Sequence, residues 1–216
     1  SVSRGLGDVY KRQIFGIGML GGTYLLPLYM QKGLGYTAIM AGSVFLPVGL
    51  IQGVLSTCSG FLTRYIKPLF IAVTGILVMT LSFYFASRFT LHTTHAQIML
   101  VLYLRGFGMG LTFAPLNDFS LMNLSQRDMA SAAGISNSIK QLSGSVSIAL
   151  LTVILTGRTA FHSAQGGLSS AESYVAGISD DFLFVTFVSL ASALPFLWLL
   201  RPRRKAASFK SEGTGT

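Results

Sequence analysis

Charge is what this 216-residue sequence has least of: charged residues make up 11%, against about 25% in a soluble domain. A chain of this size with so few charges cannot coat a water-soluble globule. Acids are scarcest, with seven Asp and Glu against sixteen Lys and Arg. Cysteine occurs once, at Cys58, which excludes an intrachain disulfide and a CxxC metal site. Three histidines and one tryptophan complete the scarcities. What is present is apolar (51%), and it falls in long uncharged runs. No charge occurs over 13–31, 33–63, 68–87 or 182–200, windows of 19, 31, 20 and 19 residues. Roughly 20 apolar residues cross a bilayer as a helix. The fold class is therefore all-α, a polytopic membrane protein whose spans form a six-transmembrane-helix bundle.

The first thirteen residues are set apart from that bundle. Asp8-Val9-Tyr10-Lys11-Arg12-Gln13 is what GAT GTG TAT AAG AGA CAG encodes, a sequence resembling a transposon end used in sequencing libraries. Residues 1–13 are accordingly read as a non-native leader. Six helices follow, at about 14–31, 38–57, 68–87, 97–116, 131–156 and 181–200, then a basic tail over 201–216 expected to be disordered. The domain is thus 14–200. The loop over 157–180, rich in Ser, Gly and Ala, is expected to be mobile.

Loop charge sets the orientation. One side collects Arg64, Lys67, Arg127, Arg201, Arg203, Arg204, Lys205 and Lys210, the other only Lys32, Arg88 and Arg158. Eight against three places both ends of the six-helix unit in the cytoplasm. His92, His95, His162, Glu172, Asp180 and Asp181 then face outside. The formal charge of +9, which would suggest nucleic acid in a soluble protein, is explained mainly by this bias, and nucleic acid is not expected as a partner.

Two residues carry charge inside spans. Arg105 stands eight residues into the fourth, where a charge costs roughly 2.5–3.5 kcal/mol to insert. It either lines a cavity or is satisfied by neighbouring carbonyls while holding helices together. Lys140 stands ten residues into the fifth, with Asn137, Gln141 and Gly144 beside it at helical spacing. That face is either a cavity wall or helix–helix glue. Carboxylates are absent from the spans, except Asp118 at the cytoplasmic end of the fourth. A proton relay needs a buried acid or His, so any principal carrier is expected outside these helices. Gly106, Gly108, Gly110 and Gly144 suit close helix packing, and Pro47, Pro115 and Pro195 suggest kinks.

Local patterns carry a resemblance. Leu26-Pro27-Leu28-Tyr29-Met30-Gln31, Gly35-Tyr36-Thr37, Ala41-Gly42 and Leu46-Pro47-Val48-Gly49 resemble the run opening the C-terminal half of fourteen-helix drug:proton antiporters of the major facilitator superfamily (EmrB/QacA-type). Arg105-Gly106-Phe107-Gly108-Met109-Gly110 through Ala114-Pro115-Leu116 is similar to the family's "RG.G.G……PL" helix. Asn137 to Ser145 is similar to its "N..RQ.GGS.G" helix, departing at Lys140, Ser143 and Ser147. The loop Gly60–Lys67 lacks the Asp of the superfamily's "G…DR.G(R/K)" loop. The resemblance covers about 14–200 and implies the C-terminal half of a longer secondary transporter.

It further implies proton-coupled multidrug efflux of hydrophobic or amphipathic compounds by alternating access, in the bacterial inner (cytoplasmic) membrane. Arg105, Asn137, Lys140 and Gln141 become the substrate-cavity candidates. Pro47, Gly106, Gly108, Gly110, Pro115 and Gly144 are the packing or hinge candidates. Partners would be the lipid bilayer, small hydrophobic substrates and the missing N-terminal half. A periplasmic membrane-fusion protein and an outer-membrane channel are further candidates, since some Gram-negative relatives use them. An importer or lipid exporter on the same scaffold, and an inert fragment, are the alternatives. No cofactor and no metal is implied. An intramembrane enzyme is disfavoured, because no His and no Ser/His/Asp cluster lies in a span. Gly16 to Gly21 satisfies GxGxxG, but within a span and without a preceding strand.

Overall fold

The computed structural model describes residues 21–121, 126–165 and 167–200, and the side chains of all of these except 114–121, 126–133, 136 and 194–200. The leader, the tail and residues 14–20 of the first span lie outside the described residues. All regular structure described is helical. We label the helices α1 (21–33, its last turn a π-turn at Tyr29–Gly33), α2 (Ala38–Leu62), α3 (Pro68–Ala86), α4 (His95–Leu121), α5 (Gln126–Ala164) and α6 (Ser170–Leu200). Five of them, α2 to α6, are long and apolar enough to cross a membrane.

The helices begin where local chemistry supplies partners for free N–H groups. Thr37 caps α2 by accepting from the Met40 N–H at 3.2 Å. Pro68 opens α3 at a position that has no N–H to satisfy. Ser169 and Glu172 form a reciprocal box at the start of α6: the Ser169 N–H donates to Glu172 Oε2 at 2.8 Å, and the Glu172 N–H to Ser169 Oγ at 3.3 Å. Gly35, at φ 71°, turns the chain between α1 and α2.

Four helices, α2, α4, α5 and α6, run longer than the spans expected for them. The 157–180 segment, expected as a mobile loop, is helical over most of its length: α5 continues to Ala164 and α6 starts at Ser170. Likewise α4 and α5 extend through most of the expected 117–130 loop. Uncharged length reports hydrocarbon thickness, whereas a helix goes on as long as its backbone bonds and side chains permit. At 1.5 Å per residue, the 39 residues of α5 reach about 58 Å, well past a core of about 30 Å. The helices also run through Pro47, Pro115 and Pro195 without a break.

In the bundle α4 lies between α2 and α3, α3 also packs on α6, and α6 on α5, with α1 against α6. Glycines set the closest approaches. A Cβ at Gly106 would stand 2.9 Å from Val48 of α2, and one at Gly110 would stand 2.6 Å from Leu55. Gly108, on the opposite side of α4, would meet the Gly75 carbonyl and the Met79 amide of α3, each at 2.8 Å. Small polar groups join the same helices: Ser59 Oγ donates to the Gly110 carbonyl (3.2 Å), Ser82 Oγ to that of Val101 (2.7 Å), and Thr80 and Ser189 share a 2.8 Å hydroxyl bond. Where lipid replaces water, such packing and hydrogen bonds hold helices together. Outward, α2 exposes Ile39, Leu46, Leu50, Val54 and Phe61, and α5 exposes Ile135, Leu142, Val146 and Val153.

Candidate functional site

Arg105 is 4% exposed. It stands at the junction of α4, α3 and α1, where Nη2 donates to the hydroxyl of Thr23. Gly22 makes room for it: a side chain there would strike the Phe83 ring and, at 2.8 Å, Arg105 Nε. The guanidinium therefore bridges helices in the interior of this chain. Thr23, Gly22 and Phe83 were not among the candidates, since pairing between α1 and α4 leaves no local trace in the sequence.

The other three cavity candidates sit elsewhere. Asn137, Lys140 and Gln141 are exposed on α5. That helix turns Ser143, Ser147, Leu151 and Leu155 into the bundle, whereas Asn137, Lys140 and Gln141, nearer its start, are left uncovered. Lys140 Nζ lies 5.9 Å over the Phe113 ring of α4, a cation–π distance. Phe113 is eight residues from Arg105, about 12 Å along the helix. The structure thus brings the α5 trio together and puts Arg105 two turns away along α4, behind packed side chains. Among the packing candidates, Gly106, Gly108 and Gly110 meet neighbouring helices as above, Gly144 is buried on α5, Pro47 is half-buried within α2, and the side chain of Pro115 lies outside the described set.

A second polar group lies at the end where α3 leads to α4 and α5 to α6. Asp180 Oδ2 accepts from Arg158 Nε at 2.7 Å and lies 2.8 Å from His162 Nε2. Asp180 and His162 border a cleft of about 570 Å³ with His92, Glu172 and Ser179. Asp181, beside it, is wholly buried. Neither of its carboxylate oxygens has a hydrogen-bond partner among the described residues. Asp180 was expected at the end of the external 157–180 loop and Asp181 at the outer end of the sixth span. They instead stand three turns into α6, because the Ser169–Glu172 box starts that helix eleven residues before Asp180. Asp181 is thus inside the bundle and not at the start of a span. The box was visible as Ser-x-x-Glu and was the signal to follow. No group of three or more His, Cys, Asp or Glu suited to a metal occurs among the described residues.

Comparison with known proteins places this architecture. Residues 13–148 match the model of the Major Facilitator Superfamily. The uncharacterized MFS-type transporter YhcA of Bacillus subtilis is 34% identical over 70% of this chain and 29% of its own length. The multidrug export protein EmrB of Haemophilus influenzae is 32% identical over 68% of this chain and 29% of its own length. The lincomycin resistance protein LmrB of Listeria innocua is 25% identical over 90% of this chain and 44% of its own length. The chain thus spans less than half the length of each of these relatives. A helical bundle glued by glycines and hydroxyls, matched over most of its length by this family, has one reading: the chain belongs to the major facilitator superfamily.

Proposed function

We propose that this chain is one six-helix half of a secondary active transporter that exports hydrophobic or amphipathic compounds in exchange for protons. It would work by rocking against a facing half in the bacterial cytoplasmic membrane. One observation carries the reading. Within the apolar length of α5, the exposed surface holds Asn137, Lys140 and Gln141. Polar and charged side chains at hydrocarbon depth face protein or a water-filled cavity, since contact with lipid is costly. The surface that covers this trio is therefore a second bundle, with an aqueous cavity between the two. The names of EmrB and LmrB, a multidrug exporter and an antibiotic-resistance protein, support efflux as the direction and drugs as the cargo. The loop charges support an orientation in which the cleft beside Asp180 opens to the outside.

Single cysteines test the cavity in the full coding sequence, made cysteine-free by changes that include Cys58→Ser. Asn137→Cys and Gln141→Cys are expected to react with a water-soluble maleimide and to be protected by a transported dye. Val153→Cys, exposed on an apolar stretch, is expected to stay unreactive. Equal reactivity at all three positions, with no protection, would overturn the assignment.

A further inference from the structure

Asp181 is a carboxylate for which the packing of α6 provides no counter-charge. One turn before it, Gly177 abuts α5 so closely that a Cβ would meet Thr159 Oγ1 at 2.6 Å and Leu155 at 3.3 Å. One turn after it, Val185 closes on Gly21 of α1, where a Cβ would stand 3.0 Å away. Asp181 therefore lies in the seam of α1, α5 and α6, sealed by a contact on either side. An ionised carboxylate buried without a partner is costly, and such a group neutralises itself or draws in a cation.

The charged groups around the seam, which include Arg105 of α4 where it reaches Gly22 and donates to Thr23 of α1, are engaged elsewhere and leave it only the first course in this conformation. From α5, Arg158 and His162 are both engaged on Asp180, and Asp180 adds a negative charge beside Asp181. From α1, Lys32 lies 5.9 Å over the ring of Tyr174, and Tyr24 bonds Thr152 of α5 at 2.9 Å. From α3, the nearest cation follows the helix end: Arg88 donates to Tyr84 at 3.0 Å, out at the cleft. The remaining titratable group on the same face of α6 is Tyr174.

We propose that Asp181 is a proton-binding site: with α1, α5 and α6 packed as here it holds a proton as the neutral acid, taken up from water at the cleft that Asp180 and His162 border. The uptake is a plain association of a proton with a carboxylate. Release then requires the seam to loosen, so that water or a cation reaches the charge. This places a protonatable acid inside α6, eleven residues after its first residue and within the stretch long and apolar enough to cross a membrane. The use of that proton in coupling rests on the export reading, but the protonation does not.

The test uses the purified full chain in lipid nanodiscs, with no transport step. Infrared spectra are expected to show a protonated-carboxyl C=O band that is missing in Asp181→Asn. Dicyclohexylcarbodiimide, which modifies protonated carboxyls in apolar surroundings, is expected to label Asp181 and to leave Asp180 and Glu172 unlabelled. Asp181→Asn mimics the neutral acid, so it is expected to fold and to keep the wild-type melting temperature. An unchanged carboxyl band in that variant, with no label on Asp181 from acid to alkaline pH, would overturn the proposal and show the charge to be paired. If the band is present but the whole transporter moves drug without protons, the site stands and the coupling falls.

Discussion

Arg105 shows how far a single residue can be read from sequence. Its position in a span made it a residue that must be satisfied inside the protein, and it is: Nη2 donates to Thr23 and the side chain is 4% exposed. Its partner could not be read, because no pattern links α1 to α4 across 82 residues. Thr23→Val keeps the volume and removes the acceptor. It is expected to lower stability by about 1.5–3 kcal/mol, the range for hydrogen bonds to charged groups, measured as unfolding in detergent. Unchanged stability would mean that the guanidinium is held elsewhere. Asp181 was misread for a different reason. A charged residue at the edge of an uncharged window marks the end of the window, and it was taken as the end of the helix as well. Burial, unlike charge, depends on what α1 and α5 bring to the same place.

Among the helices, the spans were legible because hydrocarbon thickness imposes a length on every crossing segment. Their ends were not, since a helix outside the hydrocarbon is limited only by its caps. The Ser169–Glu172 box is such a cap, and Ser169→Ala is expected to cost about 0.5–2 kcal/mol locally. Faster amide exchange over the first turn of α6, with the rest of the helix unchanged, is the signature to look for. The three glycines of α4 were legible as close packing, though not which neighbour each one meets. Gly106 and Gly110, four residues apart, serve α2, and Gly108 serves α3. Gly108→Ala would put a Cβ 2.8 Å from backbone atoms of Gly75 and Met79, atoms that cannot turn aside. It is expected to destabilise by about 1–3 kcal/mol. Gly42→Ala meets nothing within 4 Å and is expected to be neutral or to stabilise by up to about 1 kcal/mol. Similar melting temperatures for the two variants would contradict the packing described.

At the scale of the molecule, the chain presents two kinds of outward surface. The apolar faces of α2 and α5 suit lipid or another bundle, and the Asn137–Lys140–Gln141 patch suits only a covered, partly aqueous place. That division follows from which α5 residues the bundle buries, namely Ser143, Ser147, Leu151 and Leu155, and the linear sequence does not state it. On the export reading half of the cavity wall comes from a facing bundle, so the chain alone is expected to form a bundle and not to transport. The most direct test is flux of a lipophilic dye in proteoliposomes under an imposed pH gradient, comparing the product of the full coding sequence with this chain alone. Dye movement by the full product that stops when an ionophore collapses the gradient, and none by the chain alone, is the predicted result. Flux by the full product that ignores the gradient, or coupled flux by the chain alone, would contradict it.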